Sequence, residues 1–224
     1  MSRPPAAAPL SLLHRTRFPA TGDGPYPTVI ALHGRGSDEA DLIGLAPYLN
    51  DQLLWVSPRA PLVLNGGYEW YRLLGVGVPD AATFQAARIA LNRFVDEVRV
   101  TYPVDPRQLF LFGFSQGGMM AYTQALSWPA GLAGVIAHSS YIPMPSIEAV
   151  ATIDAAGLRG KPFAVLHGSN DPLIPVTWAR EARATLTRLG AVVDYHEFPF
   201  GHNVDERSVT AMRAWLTARL TPAA

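Results

Sequence analysis

The sequence predicts an α/β fold in which helices cover both faces of a mostly parallel sheet. Short apolar runs, such as the one at residues 28–32, alternate along the chain with segments of helical period. The intervals between these runs are long enough for the crossover helices that parallel strands require. With 224 residues, of which 49% are hydrophobic, the chain can bury one substantial core without disulfides or a structural metal.

The predicted elements begin at residue 10. Residues 1–9 are rich in proline and alanine and are expected to form a disordered leader, while residues 10–224 form a single domain. Strands are predicted at residues 10–18 (an edge strand), 28–32, 53–57, 109–112, 132–137, 163–166 and 192–198. Helices are predicted at residues 40–49, 81–100, 119–126, 176–189 and 206–220. The helix at 81–100 has the clearest period, with an apolar face of Phe84, Ala87, Leu91, Phe94, Val95 and Val98.

Composition excludes several classes of protein. The 18 basic and 18 acidic side chains cancel and no Lys/Arg run occurs, so no nucleic acid or anionic membrane is expected as a partner. The absence of cysteine excludes a thiol nucleophile, a disulfide framework and a thiolate zinc site. No segment approaches the roughly 20 apolar residues that span a bilayer, so stable membrane insertion is not expected. Prolines interrupt the N-terminal segment, which lacks the apolar core of a secretory signal, and a cytoplasmic location is expected.

The most informative motif is Gly113-Phe114-Ser115-Gln116-Gly117, which lies between the apolar run at 109–112 and a helix-forming stretch. A serine on such a sharp strand-to-helix turn is the nucleophile elbow of an α/β-hydrolase. Glycine at both ends permits the tight bend, while Ser115 carries the strained backbone. A serine between glycines also occurs in simple turns. Three further segments, which supply an oxyanion donor, an acid and a base in the chain order of this fold, favour the catalytic interpretation.

The segment Leu32-His33-Gly34-Arg35-Gly36 follows the predicted strand at 28–32 and predicts half of an oxyanion hole. The backbone N–H of Arg35 and that of Gln116, at the positive end of the following helix, are the expected donors. Neither side chain is required for this role. His33 is expected to orient the loop through hydrogen bonds rather than to act as a base.

Asp171 and His202 are the predicted acid and base. Asp171 lies five residues beyond the strand at 163–166, and an Asp-Pro turn is the structural alternative. His202 follows the last strand, from where a loop can bring its imidazole over Ser115. The competing carboxylates, none of which follows a strand so directly, are Asp154, Asp194 and Asp205. The competing histidines are His14, which lies too early, His138 and His167, which end other strands, and His196, within the last strand.

This constellation predicts acyl transfer. Ser115 attacks an acyl carbon, the Arg35 and Gln116 amides hold the oxyanion, His202 protonates the leaving group, and water then releases the acid. No metal or organic cofactor is needed, and the expected partner is a small-molecule acyl ester. The irregular region 58–80 is expected to contribute the wall of an acyl pocket. Its candidate side chains are Leu64, Trp70, Tyr71 and Leu73; the alternatives are a loop that covers the core with Trp70 packed inside, or a dimer contact.

The chain resembles the phospholipase/carboxylesterase family of small α/β-hydrolases, which includes the acyl-protein thioesterases. The matching segments are Leu32-His33-Gly34-Arg35-Gly36-Ser37, Glu69-Trp70-Tyr71, Gly113-Phe114-Ser115-Gln116-Gly117-Gly118, His167-Gly168-Ser169-Asn170-Asp171-Pro172-Leu173-Ile174-Pro175 and Gly201-His202. The resemblance implies an esterase with the triad Ser115, Asp171 and His202, with oxyanion donors at Arg35 and Gln116, and without a large helical cap.

Several functions remain open at this point. The expected one is a serine carboxylesterase for short- to medium-chain acyl esters, as a monomer or homodimer. A thioesterase or lysophospholipase would use the same triad, and a non-catalytic ligand-binding homologue is the alternative of another class. Two positions depart from the family pattern: Arg35 replaces an apolar residue, and Tyr71-Arg72 replaces Phe-Asp. One hypothesis is that the Arg35 guanidinium attracts a carboxylate or phosphate at the far end of the substrate, and a solvated loop arginine is the alternative.

Overall fold

A computed structural model describes residues 10–220, so the predicted leader at residues 1–9 lies outside the described residues. Its strands are β1 (His14–Arg17), β2 (Tyr26–Leu32), β3 (Leu54–Pro58), β4 (Leu62–Leu64), β5 (Gly67–Glu69), β6 (Leu73–Gly75), β7 (Val78–Pro79), β8 (Val104–Phe114), β9 (Gly134–His138), β10 (Pro162–Gly168) and β11 (Val192–Phe198). Its α-helices are α1 (Ala46–Leu49), α2 (Ala81–Thr101), α3 (Gln116–Ser127), α4 (Met144–Val150), α5 (Val176–Arg188) and α6 (Glu206–Thr217). None of the helices in this part of the chain has the length and apolar character needed to cross a membrane.

A seven-stranded sheet with the spatial order β1-β3-β2-β8-β9-β10-β11 forms the centre of the molecule. The edge strand β1 is antiparallel to β3, and the other pairings in this sheet are parallel. The predicted fold class is therefore confirmed. The strand β3 lies on one side of β2 and β8 lies on the other, so the order in which the chain adds strands reverses between β2 and β8. In open α/β sheets the crevice at such a reversal, outside the carboxyl ends of the strands, is where ligands bind.

The core lies on both faces of this sheet, because successive residues of a strand point to opposite sides. Ile30 and Leu111 pack under α2, α3 and α5, whereas Val29 and Phe110 pack under α1 and α6. The apolar face predicted for the helix at 81–100 is confirmed, since all six of its residues are buried in α2. Both faces are thus covered, which fixes the central strands and leaves their carboxyl ends as the open edge.

Three regions differ from the predicted elements. The helix predicted at 40–49 divides into a 3₁₀ turn, Leu42–Leu45, and the single turn α1, because Gly44 and Pro47 both disfavour a continuous helix. The irregular region 58–80 contains two hairpins, β4–β5 and β6–β7. Asn65 and Gly66 form the two-residue turn of the first hairpin, with Gly66 at φ +82°. The short helix α4 was not predicted.

Candidate active site

Ser115 lies at the point where β8 ends and α3 begins, and its backbone is strained. Its φ of 52° and ψ of −118° are values that residues with a Cβ rarely adopt, at a cost of about 1–3 kcal/mol. A Cβ at Gly113 would collide with the carbonyl of Gly117, and a Cβ at Gly117 would collide with the carbonyl of Leu32. Both positions therefore require glycine, as the motif predicts, and the elbow packs directly on the end of β2.

Hydrogen bonds hold this strained turn in place. The Ser115 N–H donates to the carbonyl of His138 at 2.9 Å, which ties the elbow to the end of β9. The Ser115 carbonyl accepts from the N–H groups of Gly118 and Met119 at 2.9 and 3.2 Å, which begins α3. The hydroxyl is thus directed away from the sheet by a backbone that neighbouring elements fix from both sides.

The structure brings the side chains of Ser115, His202 and Asp171 into one hydrogen-bonded line. His202 Nε2 lies 2.9 Å from Ser115 Oγ, and His202 Nδ1 lies 2.7 Å from Asp171 Oδ2. A carboxylate only accepts hydrogen bonds, so Nδ1 carries the ring proton and Nε2 is free to accept the proton of the serine hydroxyl. This arrangement can abstract that proton as the hydroxyl attacks an electrophile.

The carboxylate of Asp171 is fully buried and is fixed at its other oxygen. Oδ1 accepts the N–H groups of Leu173 and Ile174, both at 2.9 Å. The loop that carries it is anchored by His167, whose Nε2 donates to the carbonyl of Ile174 at 2.8 Å. Oδ2 is therefore oriented toward His202 by the turn itself. Asp194, one of the competing carboxylates, instead faces His196 at 3.0 Å in the last strand.

The loop after β2 lies against the elbow. A Cβ built on Gly34 would be 3.5 Å from the Ser115 Cβ and 3.0 Å from the Phe114 ring, so the backbone of Gly34 lies close to these two side chains. Within residues 10–220, the backbone N–H groups of Arg35 and Gln116 have no hydrogen-bond acceptor. The first N–H groups of a helix lack intrahelical partners and lie at its positive end. Both N–H groups are thus available to an anion.

His33 orients this loop, as the sequence predicts. Its Nε2 accepts the N–H of Ala60 at 3.0 Å, and its Nδ1 donates to the carbonyl of Gly34 at 2.7 Å. Burial lowers the pKa of His33, so the ring stays neutral and keeps this tautomer. The indole of Trp70 adds a hydrogen bond to the His33 carbonyl at 3.0 Å. Together these contacts set the direction of the Arg35 N–H.

The side chain of Gln116 has a role that the sequence reasoning missed. Its Oε1 accepts the N–H of Trp70, and its Nε2 donates to the carbonyl of Tyr71, both at 2.7 Å. An amide side chain that pairs with one donor and one acceptor of an extended segment clamps that segment in place. In this way the elbow is tied to the same segment that supports the loop after β2.

Two of the four predicted pocket side chains belong to the core instead. Trp70 and Tyr71 have no exposed surface, and Tyr71 packs edge-on against Phe84 at 4.9 Å. Both belong to the core cluster that also contains the apolar face of α2, which for Trp70 is the alternative that the sequence left open. Leu64 and Leu73 lie on the hairpins, where they are half-buried and exposed respectively.

A cleft of about 380 Å³ with a mixed polar and apolar lining opens beyond the carboxyl end of β9. It is bounded by Val76 and Gly77 of the second hairpin, by the segment after β9, and by the start of α5. The walls after β9 include Tyr141 and Ile142, and Trp178 of α5 packs on Tyr141 at 4.5 Å. Region 58–80 does contribute to a cleft wall, although through residues other than the four predicted ones.

Arg35 extends away from the loop and is paired. Its Nε lies 2.8 Å from Oε2 of Glu69, which is almost completely buried. This ion pair links the loop after β2 to β5, next to the backbone hydrogen bond from Gly36 to Tyr68 at 2.8 Å. Because Glu69 neutralises the guanidinium, the pairing argues against the hypothesis of an anion subsite at Arg35.

A buried histidine behind the site predicts how stability depends on pH. Burial, together with His167 and His202, lowers the pKa of His138 from 6.5 to about 3. Between these values the unfolded chain binds a proton that the folded chain does not, so stability falls as the pH drops through this window, by up to about 1.4 kcal/mol per pH unit. Denaturant unfolding of wild type and His138→Asn from neutral to acidic pH measures this. Parallel stability curves for the two proteins would contradict the prediction.

Comparisons with known proteins show which family and which solved structures the chain is similar to. A family model described as Phospholipase/Carboxylesterase matches residues 19–220. Acyl-protein thioesterase 1 of Gibberella zeae is 28% identical over 178 residues, which cover 74% of this chain and 75% of the relative. Lysophospholipase-like protein 1 of Mus musculus is 25% identical over 232 residues, with 96% of each chain covered. The crystal structure of esterase PE8 superposes with a TM-score of 0.82 at 29% identity and covers 93% of this chain and 99% of the esterase.

Proposed function

Because the chain belongs to the phospholipase/carboxylesterase family of α/β-hydrolases and is therefore a serine hydrolase, we propose that it hydrolyses short- to medium-chain carboxylic esters through Ser115, His202 and Asp171. The observation that carries the proposal is the hydrogen-bonded line in which His202 is 2.9 Å from the Ser115 hydroxyl and 2.7 Å from the Asp171 carboxylate. A base placed between a nucleophile and an orienting acid is the arrangement that activates serine.

In the first half of the reaction, Ser115 Oγ bonds to the ester carbonyl carbon while its proton passes to His202 Nε2. The resulting imidazolium is stabilised by Asp171, which stays ionised. The carbonyl oxygen becomes an oxyanion between the N–H groups of Arg35 and Gln116. Collapse of this intermediate breaks the bond to the alcohol, which leaves with the proton from His202, and the acyl group remains on Ser115.

In the second half, water takes the place of the alcohol. His202 accepts its proton as the water oxygen bonds to the acyl carbon, and the same two N–H groups hold the second oxyanion. The bond to Ser115 then breaks, Oγ recovers its proton from His202, and the acid departs. Loss of one oxyanion donor in such a site costs about 10²–10³ in rate, so the loop after β2 is expected to contribute on that scale.

The size of the cleft between the second hairpin and α5 supports the preference for short to medium acyl groups. Its volume of about 380 Å³ lies near the lower end of the 300–1,000 Å³ that is usual for small-molecule sites. Its walls combine Ile142, Met144 and Trp178, which can contact an alkyl chain, with the polar side chains of Glu181 and Thr185. The cleft and Ser115 share the carboxyl edge of the sheet.

The similar relatives named acyl-protein thioesterase and lysophospholipase-like protein give the second candidate function. A thioester or a lysophospholipid would pass through the same acyl-enzyme, so the triad alone does not distinguish these substrates. The catalytically silent homologue remains the alternative of another class. It would form no covalent adduct with a fluorophosphonate.

A series of p-nitrophenyl esters from acetate to palmitate tests the proposal. We expect kcat/KM to be highest for the short and medium chains and to fall toward palmitate, with Ser115→Ala as the inactive control. A maximum at palmitate would favour the lysophospholipase or thioesterase function, which palmitoyl thioester and lysophospholipid substrates would then separate. Absence of both turnover and a fluorophosphonate adduct would contradict the proposal.

The location and assembly state of the protein stay predictions from the sequence. A cytoplasmic location is checked by fractionation of cells that express the full chain. The choice between monomer and homodimer is settled by light scattering of the purified protein.

A further inference from the structure

A separate cavity, of about 650 Å³, lies between α2, α3 and the region of α4. Its polar and aromatic lining includes Arg88, Asn92 and Asp96 of α2, Gln124 of α3, Trp128, and Glu148 of α4. Gln124 is nine residues beyond Ser115 along α3, which corresponds to about 13 Å of helix. Since α3 runs from the carboxyl edge of the sheet toward the opposite edge, this cavity is distinct both from Ser115 and from the cleft lined by Tyr141 and Trp178.

Three polar side-chain atoms of this cavity lack partners. Within residues 10–220, Arg88 Nε, Asn92 Oδ1 and Gln124 Oε1 are buried and have no hydrogen-bond partner. Buried polar atoms in proteins are paired in the large majority of cases, so three unpaired ones on a single cavity need an explanation. The amide groups of Asn92 and Gln124 turn about a soft terminal torsion and can present either their oxygen or their nitrogen to a ligand.

Two charged side chains of the cavity are also unpaired, and they lie on different walls. Arg88, on α2, makes no ion pair with any described residue, and neither does Glu148, on α4. Asp96 is close to Arg99, at 3.7 Å, which offsets its charge. A ligand that fills the cavity therefore meets a cation on one wall and an anion on the other. A simple anion or cation would be attracted by one wall and repelled by the other.

We propose that this cavity binds a zwitterionic small molecule of the α-amino acid class. Its carboxylate pairs with the Arg88 guanidinium and with the amides of Asn92 and Gln124, and its ammonium group pairs with Glu148. The ring of Trp128 forms an apolar wall for the side chain of the ligand. The proposal is independent of the esterase function, since none of these residues belongs to the line of Ser115, His202 and Asp171.

Titration calorimetry of the purified chain with each of the twenty standard L-amino acids tests the proposal. The tightest binder is then compared with its analogues that lack either the amino group or the carboxylate. We expect saturable binding of the amino acid, and binding about tenfold weaker, or more, for each analogue, because each loses a charge-assisted hydrogen bond. Binding should persist after a fluorophosphonate has blocked Ser115.

Variants assign the binding to this cavity. Arg88→Met should weaken binding of the amino acid by about tenfold or more and leave binding of the analogue without a carboxylate unchanged. Glu148→Gln should weaken binding of the amino acid to a similar extent and leave binding of the analogue without an amino group unchanged. Arg93→Met is the matched control, since Arg93 is an exposed arginine of α2 that pairs with Glu97. Circular dichroism and ester turnover report whether each variant is folded. Absence of saturable binding at millimolar concentration, or equal binding by wild type and folded Arg88→Met, would overturn the proposal.

Discussion

Ser115→Ala is expected to lower kcat for a good p-nitrophenyl ester by roughly 10⁵- to 10⁶-fold. The substitution removes the atom that forms the acyl-enzyme but leaves the Arg35 and Gln116 N–H groups in place. The remaining rate should therefore still exceed that of the reaction in water, through oxyanion binding and substrate positioning. Because alanine also has a Cβ, it keeps the strained φ of 52°, and the fold should be unchanged.

The measurement is steady-state turnover together with labelling by a fluorophosphonate, which should modify wild type and not Ser115→Ala. Ser169→Ala is the matched control, since Ser169 is an exposed serine two residues before Asp171. Ser115→Gly provides a second test of the elbow. Glycine tolerates the positive φ, so this inactive variant should be more stable than wild type by about 1 kcal/mol. Turnover by Ser115→Ala within tenfold of wild type would exclude Ser115 as nucleophile.

The positions of the strands follow from the sequence because the sheet is buried on both faces. Runs such as Leu109–Phe112 contain no polar residue, which is the property of a central parallel strand. Once the strands are placed, the edge at which Ser115, Asp171 and His202 lie is also determined, because each follows a strand that runs in the same direction. What the sequence leaves open is whether their loops meet. That depends on contacts such as the Asp171 oxygen bound by two backbone N–H groups.

Region 58–80 was the part least accessible to sequence reasoning. The Asn65-Gly66 pair is a strong signal of a hairpin turn, and it was available in the sequence. The burial of Trp70 and Tyr71 had no such signal, because an aromatic residue in an irregular segment has no periodicity that separates core from pocket. The clamp from Gln116 to this segment joins residues 45 and 46 positions apart, and local patterns contain no information on such pairs.

The cavity between α2 and α4 could not be predicted from the sequence for a related reason. Arg88, Asn92 and Asp96 are spaced by four residues and lie beside the apolar face of α2, as the polar side chains of any amphipathic helix do. These three residues differ from a solvated surface only because Gln124 and Glu148 lie opposite them on neighbouring helices. The sequence predicts the helix, and tertiary packing determines what its polar side faces.

Asp171→Asn should lower kcat by about 10⁴-fold, although it changes neither the shape nor the volume of the side chain. The Asp171 Oδ1 accepts two backbone N–H groups, so the amide oxygen of asparagine would occupy that position. Its NH₂ group would then face His202 Nδ1, which is 2.7 Å from Oδ2 in the wild type. An NH₂ group donates, so Nδ1 would have to accept and the ring proton would move to Nε2. A protonated Nε2 is unable to take the proton of Ser115.

A second Asp–His pair of the chain provides the control for this experiment. Asp194 and His196 form another Asp–His pair, 3.0 Å apart, in the last strand and with both side chains partly exposed. Asp194→Asn makes the same chemical change to an Asp–His pair that has no part in the proposed mechanism, and kcat should stay within about twofold of wild type. Pre-steady-state kinetics of Asp171→Asn should show that both formation and breakdown of the acyl-enzyme are slower, since both steps need Nε2 as a base. If Asp171→Asn retained more than a tenth of wild-type kcat, the orienting role proposed for Asp171 would be wrong, and His202 would have to be oriented by another group.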